Sequence, residues 1–244
     1  MQITVLEIPF NFGGTGNSLF PVILRHKKEV ILVDGGYAGF LPLIETAAAL
    51  KGISLQQLTG AIITHHDIDH MGVHFELKQK YPSLKIYSYY TEAAYINGTK
   101  KSLRLQQAED MLPTIPAEYR ASALEFIDLL KTMQPVSPDT VWQADEEISF
   151  LPGIQVLHTP GHMPGHISLY HTSSQTLVAA DTMVIEEGEL AIANPQFTLD
   201  LPVAIQTIHR LAKLPVKKLI CYHGGVLEEN VTAQLHKLQA RYPL

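Results

Sequence analysis

Apolar and polar positions divide the chain into two β-rich stretches with a helical one between them. Short apolar runs at 1–8, 19–24 and 30–33 predict strands. They are set apart by Gly13, Gly14, Thr15 and Gly16 and by a charged turn at 26–29, and Asp34, Gly35 and Gly36 close the third. Residues 41–50 have helical spacing; 61–64 form a short, fully apolar strand that runs straight into a histidine-rich loop. A helix is predicted over 72–80, stopped at Tyr81 and Pro82, and an alternating strand over 84–90. From 91 to about 133 the texture changes, with helical spacing at 103–111 and 117–133 broken by Pro113 and Pro116. Strands resume at 148–151, 154–158, 166–171 and 176–180, with Ser173 and Ser174 in a hairpin turn. A helix over 200–214 carries Pro202 in its first turn, where proline is tolerated. A strand over 216–222 and an amphipathic helix over 228–241 complete the pattern. The expectation is one α/β domain over 1–244, two sheets face to face with helices outside, and a helical insert at about 91–133.

Composition narrows the function. Of 244 residues, 46% are hydrophobic and 17% charged, as in an ordinary globular chain and unlike a disordered one. No apolar run approaches the roughly 18–20 residues that span a bilayer, and the first residues do not read as a secretory signal. The lone cysteine, Cys221, leaves no internal disulfide, which suits a cytoplasmic location. The net charge is −6, and the basic clusters at 25–28, 100–101 and 217–218 are short and dispersed. That disfavours nucleic acid and leaves a small-molecule substrate as the expected partner, with the oligomeric state open.

Histidine changes the picture. There are 12, with four between 65 and 74 and four between 158 and 171. The first group, Thr64-His65-His66-Asp67-Ile68-Asp69-His70-Met71-Gly72, follows a strand too apolar to need it. Side chains at 65 and 67 point the same way in extended chain, and a turn lets 69 and 70 face a second point nearby. Four ligand-competent groups within six residues can hold two metal ions. The second group, His158-Thr159-Pro160-Gly161-His162-Met163-Pro164-Gly165-His166, is a tight loop that preorganises its histidines. Asp181 and His223 each lie just past an apolar strand.

These pieces in this order resemble the metallo-β-lactamase superfamily over nearly the whole chain, where the usual loop is H-x-H-x-D-H. The resemblance implies a four-layer αβ/βα sandwich with a metal site at the edges of its two sheets. It implies that His65, Asp67 and His162 hold one metal, that Asp69, His70 and His223 hold a second, and that Asp181 bridges them. Asp67 replaces the usual imidazole, which makes the first site harder and more anionic. Two divalent ions are expected, zinc first, with iron or manganese also suited to carboxylates. The expected reaction is attack of metal-bound hydroxide on an activated acyl substrate such as a lactone, ester or thioester, with Asp69 holding the nucleophile and taking its proton. Flavodiiron-type members also carry a carboxylate at the Asp67 position, so a di-iron oxidoreductase with a separate redox partner is the alternative.

Other residues carry smaller expectations. Asp34 is read as orienting the histidine loop from behind, and His66 and His74 as lying at the surface or behind the ligands. His158 and His166 recur in the family loop without ligating; His166 and Tyr222 are the motif-adjacent candidates for a general acid. Cys221 reads as a buried strand cysteine. Lactone-cleaving relatives often have a tyrosine three residues after the bridging aspartate, where this chain has Val184. The insert is expected to cover the site as a lid, its apolar wall drawn from Tyr95, Met111, Leu112, Tyr119, Phe126 and Met133.

Overall fold

Val22, Leu24, Ile31 and Val33 face one way from two neighbouring strands and Ile23 and Leu32 the other, and all six are buried. A strand pair apolar on both faces must be covered on both. The computed structural model, which describes residues 1–12 and 14–244, covers it with helices on one side and a second sheet on the other.

The first half runs through β1 (Gln2–Val5), the hairpin β2 (Ile8–Phe12) and β3 (Thr15–Leu19), β4 (Val22–His26), β5 (Glu29–Val33), α1 (Leu41–Leu50), β6 (Gly60–Ile62), α2 (Ile68–Met71), α3 (His74–Lys80) and β7 (Lys85–Tyr89). The helices α4 (Ala93–Ile96), α5 (Leu103–Met111) and α6 (Arg120–Lys131) follow before β8 (Thr140–Trp142) closes the first sheet, whose order is β1-β4-β5-β6-β7-β8. The second half contains β9 (Glu146–Glu147), β10 (Ile154–His158), β11 (Ile167–His171), β12 (Thr176–Ala180), the hairpin β13 (Met183–Glu186) and β14 (Glu189–Ile192), α7 (Leu201–Leu211), β15 (Lys218–Cys221), β16 (Gly225–Leu227) and α8 (Val231–Arg241). Its sheet has the order β16-β15-β12-β11-β10-β9.

Three cores make four layers. Ile23, Leu32 and Ile63 pack against Ile44 and Leu77 of the helices outside the first sheet. Leu24, Ile31 and Val33 meet Val156, Leu169 and Ile220 between the sheets. Leu177, Leu219 and Cys221 meet Ile208, Leu211 and Leu235 outside the second. Each fully buried Leu or Ile contributes about 1.5–3 kcal/mol to holding the layers together.

The apolar run at 148–151 is not a strand. Leu151 N–H donates to the Ile148 carbonyl, and both side chains fill the inter-sheet core from this turn, while pairing with β10 comes from Glu146 and Glu147. The hairpin β2–β3 extends the apolar start of the chain, and Gly13, in its expected turn, lies outside the described residues. The hairpin β13–β14 turns at Glu187 and Gly188, both at positive φ. Glutamate rarely supplies that conformation, so the local residues carry little sign of the turn. Among the described residues no helix is long and apolar enough to cross a membrane.

Candidate metal centre

The expected ligands, and Asp34 expected behind them, sit where strands of both sheets end. Asp34 follows β5, the 64–70 segment follows β6, His162 lies between β10 and β11, Asp181 follows β12 and His223 follows β15. β12 and β15 run parallel, so their ends share one edge, and a register shift between Val178 and Ala180 with Ala180 at φ 47° precedes Asp181. Strained backbone of this kind persists where the surroundings over-determine it.

Supports behind the ligands fix which ring nitrogen is presented. Asp34 Oδ2 accepts from His70 Nδ1 (2.9 Å) and Thr64 Oγ1 (2.8 Å), and its Oδ1 accepts from Thr64 N–H (2.9 Å). His70 Nε2 is therefore the free lone pair, and Asp34 does orient the loop from behind. Asp181 N–H donates to His166 Nε2 (3.0 Å), so the His166 proton lies on Nδ1 beside Thr159 Oγ1 (2.8 Å). His166 is thus a buried prop for Asp181 and not a general acid. Tyr222 donates its hydroxyl to the Asp69 carbonyl (2.7 Å), which likewise removes it as an acid. His158 stacks on Tyr89 at 4.5 Å and bonds Pro164 O through Nε2 (2.8 Å).

His66 and His74 are both fully buried, so of their two expected placements the one behind the donors holds and the surface one does not. His74 Nδ1 donates to Met71 O (3.2 Å), and burial lowers its pKa to about 4. His66 joins the loop to the insert. Its Nε2 accepts from Leu103 N–H (3.2 Å), its ring stacks on Tyr95 at 4.6 Å, and its Nδ1 donates to Glu92. Glu92 also accepts from His66 N–H (3.0 Å) and Gly165 N–H (2.8 Å), so one buried carboxylate clamps both ligand loops. Gly165 must be glycine here, because a Cβ would stand 2.1 Å from Thr91 Oγ1.

The donor atoms converge in two halves. In one, His223 Nε2 lies 3.2 Å from Asp69 Oδ2 and 3.5 Å from Asp181 Oδ2, and His70 Nε2 lies 3.4 Å from Asp181 Oδ1 and 3.8 Å from Asp69 Oδ2. In the other, Asp67 Oδ2 lies 3.0 Å from His162 Nε2 and 3.5 Å from His65 Nε2, with Asp181 Oδ2 at 3.7 Å from His162. A tetrahedral zinc with bonds of roughly 2.0–2.1 Å sets its donors about 3.3–3.4 Å apart, so these spacings suit a metal. The orphaned atoms say the same: His65 Nε2, His70 Nε2 and Asp181 Oδ1 are buried and make no hydrogen bond among the described residues. Burial holds His65 below its usual pKa, leaving the neutral imidazole that ligation needs. Four carboxylates, those of Asp34, Asp67, Asp69 and Asp181, gather here with a single buried guanidinium among the described residues. A desolvated cluster this anionic calls for a cation.

That guanidinium is Arg104, which the sequence reading missed. It reaches from α5 to Asp67, with Nε on Oδ1 (3.0 Å) and Nη2 on Oδ2 (2.7 Å). Burial works to raise the Asp67 carboxyl, and Arg104 with the neighbouring histidines outweighs it, holding the group well below the usual range. The extra negative charge expected of Asp67 is therefore offset inside the protein. A cavity of about 430 Å³ opens over the donors, walled by Arg104 and Phe126 of the insert and by Ile68, Val184 and Phe197. Phe126 alone of the apolar insert residues expected in the wall reaches it; Met111 and Tyr119 are exposed, and Met133 packs into the first core. Tyr37, just past Asp34-Gly35-Gly36, also lines the cavity. Burial, then Asp69, Asp67 and Asp181, push its phenol pKa up, so it stays protonated. Cys221 is buried in the outer core, its thiol pushed up by burial.

The model of the metallo-beta-lactamase superfamily matches residues 15–223. The probable metallo-hydrolase YflN of Bacillus subtilis (strain 168) is 27% identical over 222 residues, covering 85% of this chain and 80% of that protein. A hydroxyacylglutathione hydrolase of Aeromonas salmonicida (strain A449) is 27% identical over 226 residues, 92% of this chain and 66% of the enzyme. The fold matches the crystal structure of a metallo-beta-lactamase family protein from Thermus thermophilus, with a TM-score of 0.70 and 21% identity over 98% of this chain and 79% of that one. The chain belongs to the metallo-beta-lactamase superfamily and is a metal-dependent hydrolase within it.

Proposed function

We propose that the chain hydrolyses an activated acyl bond, a lactone, ester or thioester of a small molecule, with divalent metal held by the seven donors above. Zinc is the first candidate, with one position at Asp69, His70 and His223, another at His65, Asp67 and His162, and Asp181 within reach of both. Metal bound there would supply Lewis acidity and lower the pKa of a water. Asp69, which lines the cavity, would orient the attacking water and take up its proton. Tyr37, kept protonated, lines the same cavity. Ile68, Phe126, Val184 and Phe197 seat an apolar acyl or leaving portion and limit the water around it.

The observation that carries the acyl assignment is the commitment of His166 and Tyr222 to other partners. No strong acid from the ligand loops, among the described residues, stands ready for a poor leaving group, which favours bonds whose leaving group departs without one. The acyl substrate printed in the name of the Aeromonas enzyme is consistent with this. The reading places the enzyme in the cytoplasm and needs neither nucleic acid nor membrane. Zinc-loaded protein should turn over at least one lactone, aryl ester or thioester in a chromogenic panel and leave unactivated amides and phosphomonoesters intact. Turnover of phosphomonoesters alone would overturn the acyl assignment.

A further inference from the structure

Arg104 lines the cavity and is itself buried. It is 3% exposed, and every nitrogen of its fork has an acceptor. Nε and Nη2 take both oxygens of Asp67, and Nη1 takes Gln107 Oε1 (2.5 Å). Gln107 is held in turn by the Gln196 carbonyl (3.1 Å), and the guanidinium lies over the Phe197 ring at 5.3 Å. Nη2 also lies 3.3 Å from His162 Nε2. Asp67 Oδ2 and His162 Nε2 are two of the three atoms that would bind metal in their half of the cluster, and Nη2 stands within hydrogen-bond distance of both. In the other half, among the described residues, no lysine or arginine approaches Asp69, whose carboxylate meets His70 and His223.

We propose that Arg104 is the built-in cation of the Asp67 half, so that the two metal positions are unequal: metal loads first at Asp69, His70, Asp181 and His223, and enters at His65, Asp67 and His162 only by displacing the guanidinium. The physical reason is direct competition. An imidazole nitrogen has one lone pair, and a forked guanidinium–carboxylate pair is among the strongest charge-assisted contacts a protein makes. A second divalent ion must break that pair in a buried place and lodge beside a positive charge. Breaking that pair sets the second position at least about 100-fold weaker than the first. The insert thereby does more than roof the cavity, because α5 carries the charge that fixes metal stoichiometry.

The inference rests on the metal reading above, and its test separates the two. Chelator-stripped protein is titrated with zinc, with bound metal counted by elemental analysis. The wild type should take one tight equivalent and a second at least about 100-fold weaker, and Arg104→Met should bring the two within about tenfold. Asp69→Ala should remove the tight equivalent, and Asp67→Asn should keep it, a pair of results that stands even if Arg104→Met does not fold. Two equal equivalents on the wild type, loss of the tight zinc in Asp67→Asn, or an unchanged second equivalent in a folded Arg104→Met would overturn the proposal while leaving the metal reading intact. No zinc on the wild type would sink both.

Discussion

Asp67, just before α2, and Asp69, in its first turn, stand two residues apart, and each meets two imidazoles at distances that suit a metal. What surrounds them differs. Behind Asp69 the contacts are supports: Tyr222 holds its carbonyl and Asp34 holds the far nitrogen of its neighbour His70. In front of Asp67 stands a cation from a helix 37 residues along the chain. Among the described residues the Asp69 carboxylate meets imidazoles and no guanidinium or ammonium, whereas the Asp67 carboxylate is forked by Arg104. Similar donors two residues apart therefore do not make equivalent sites, and the difference comes from a charge delivered by a remote segment.

Substitutions at the two carboxylates should break the symmetry most. Asp69→Asn keeps the shape and removes the base, so kcat should fall by roughly 10²–10⁴-fold, while Asp67→Asn should fall much less. Steady-state kinetics on the best substrate of the panel decides it; equal losses would mean that the halves act alike. Glu92→Ala should come next, and it should not discriminate between them. It strands three buried N–H groups across both ligand loops. A cost of about 3 kcal/mol is expected, read as a drop of roughly 6–12 °C in thermal midpoint at about 2–4 °C per kcal/mol. A smaller effect is expected from Asp34→Ala, which removes the support of His70. It should weaken the tight metal about 10–100-fold, as loss of such outer partners does. A zinc titration that shows the weak equivalent moved instead would reverse the assignment of the halves. Phe197→Ala should do least. It removes the ring under Arg104 and part of the apolar wall, raising KM about 3–10-fold with metal content unchanged.

The candidate ligand loops stand out in the sequence because their chemistry is contiguous. His65, Asp67, Asp69 and His70 lie in six residues, and an apolar strand leading into them has no packing use for them. The layering was legible for a related reason, since strands such as β5 are apolar on both faces and must be sandwiched. Arg104, Glu92 and Tyr37 were not legible. Arg104 sits in an ordinary helix between two leucines, and its partner lies 37 residues away. Glu92 reads as a helix-start acid, and only folding brings Gly165 to it, 73 residues distant. Tyr37 had a weak signal in its place directly after Asp34-Gly35-Gly36. The misread strand at 148–151 shows the limit of periodicity, because an apolar turn can fill a core as well as a strand does.

The claim on which everything else stands is that the cluster is a metal centre loaded first on the Asp69 side. Crystals of protein grown with one equivalent of zinc, measured at the zinc absorption edge, test it directly. The account predicts an anomalous peak among Asp69, His70, Asp181 and His223, with Arg104 still forked onto Asp67. A peak only among His65, Asp67 and His162, or none within the cluster, would contradict it.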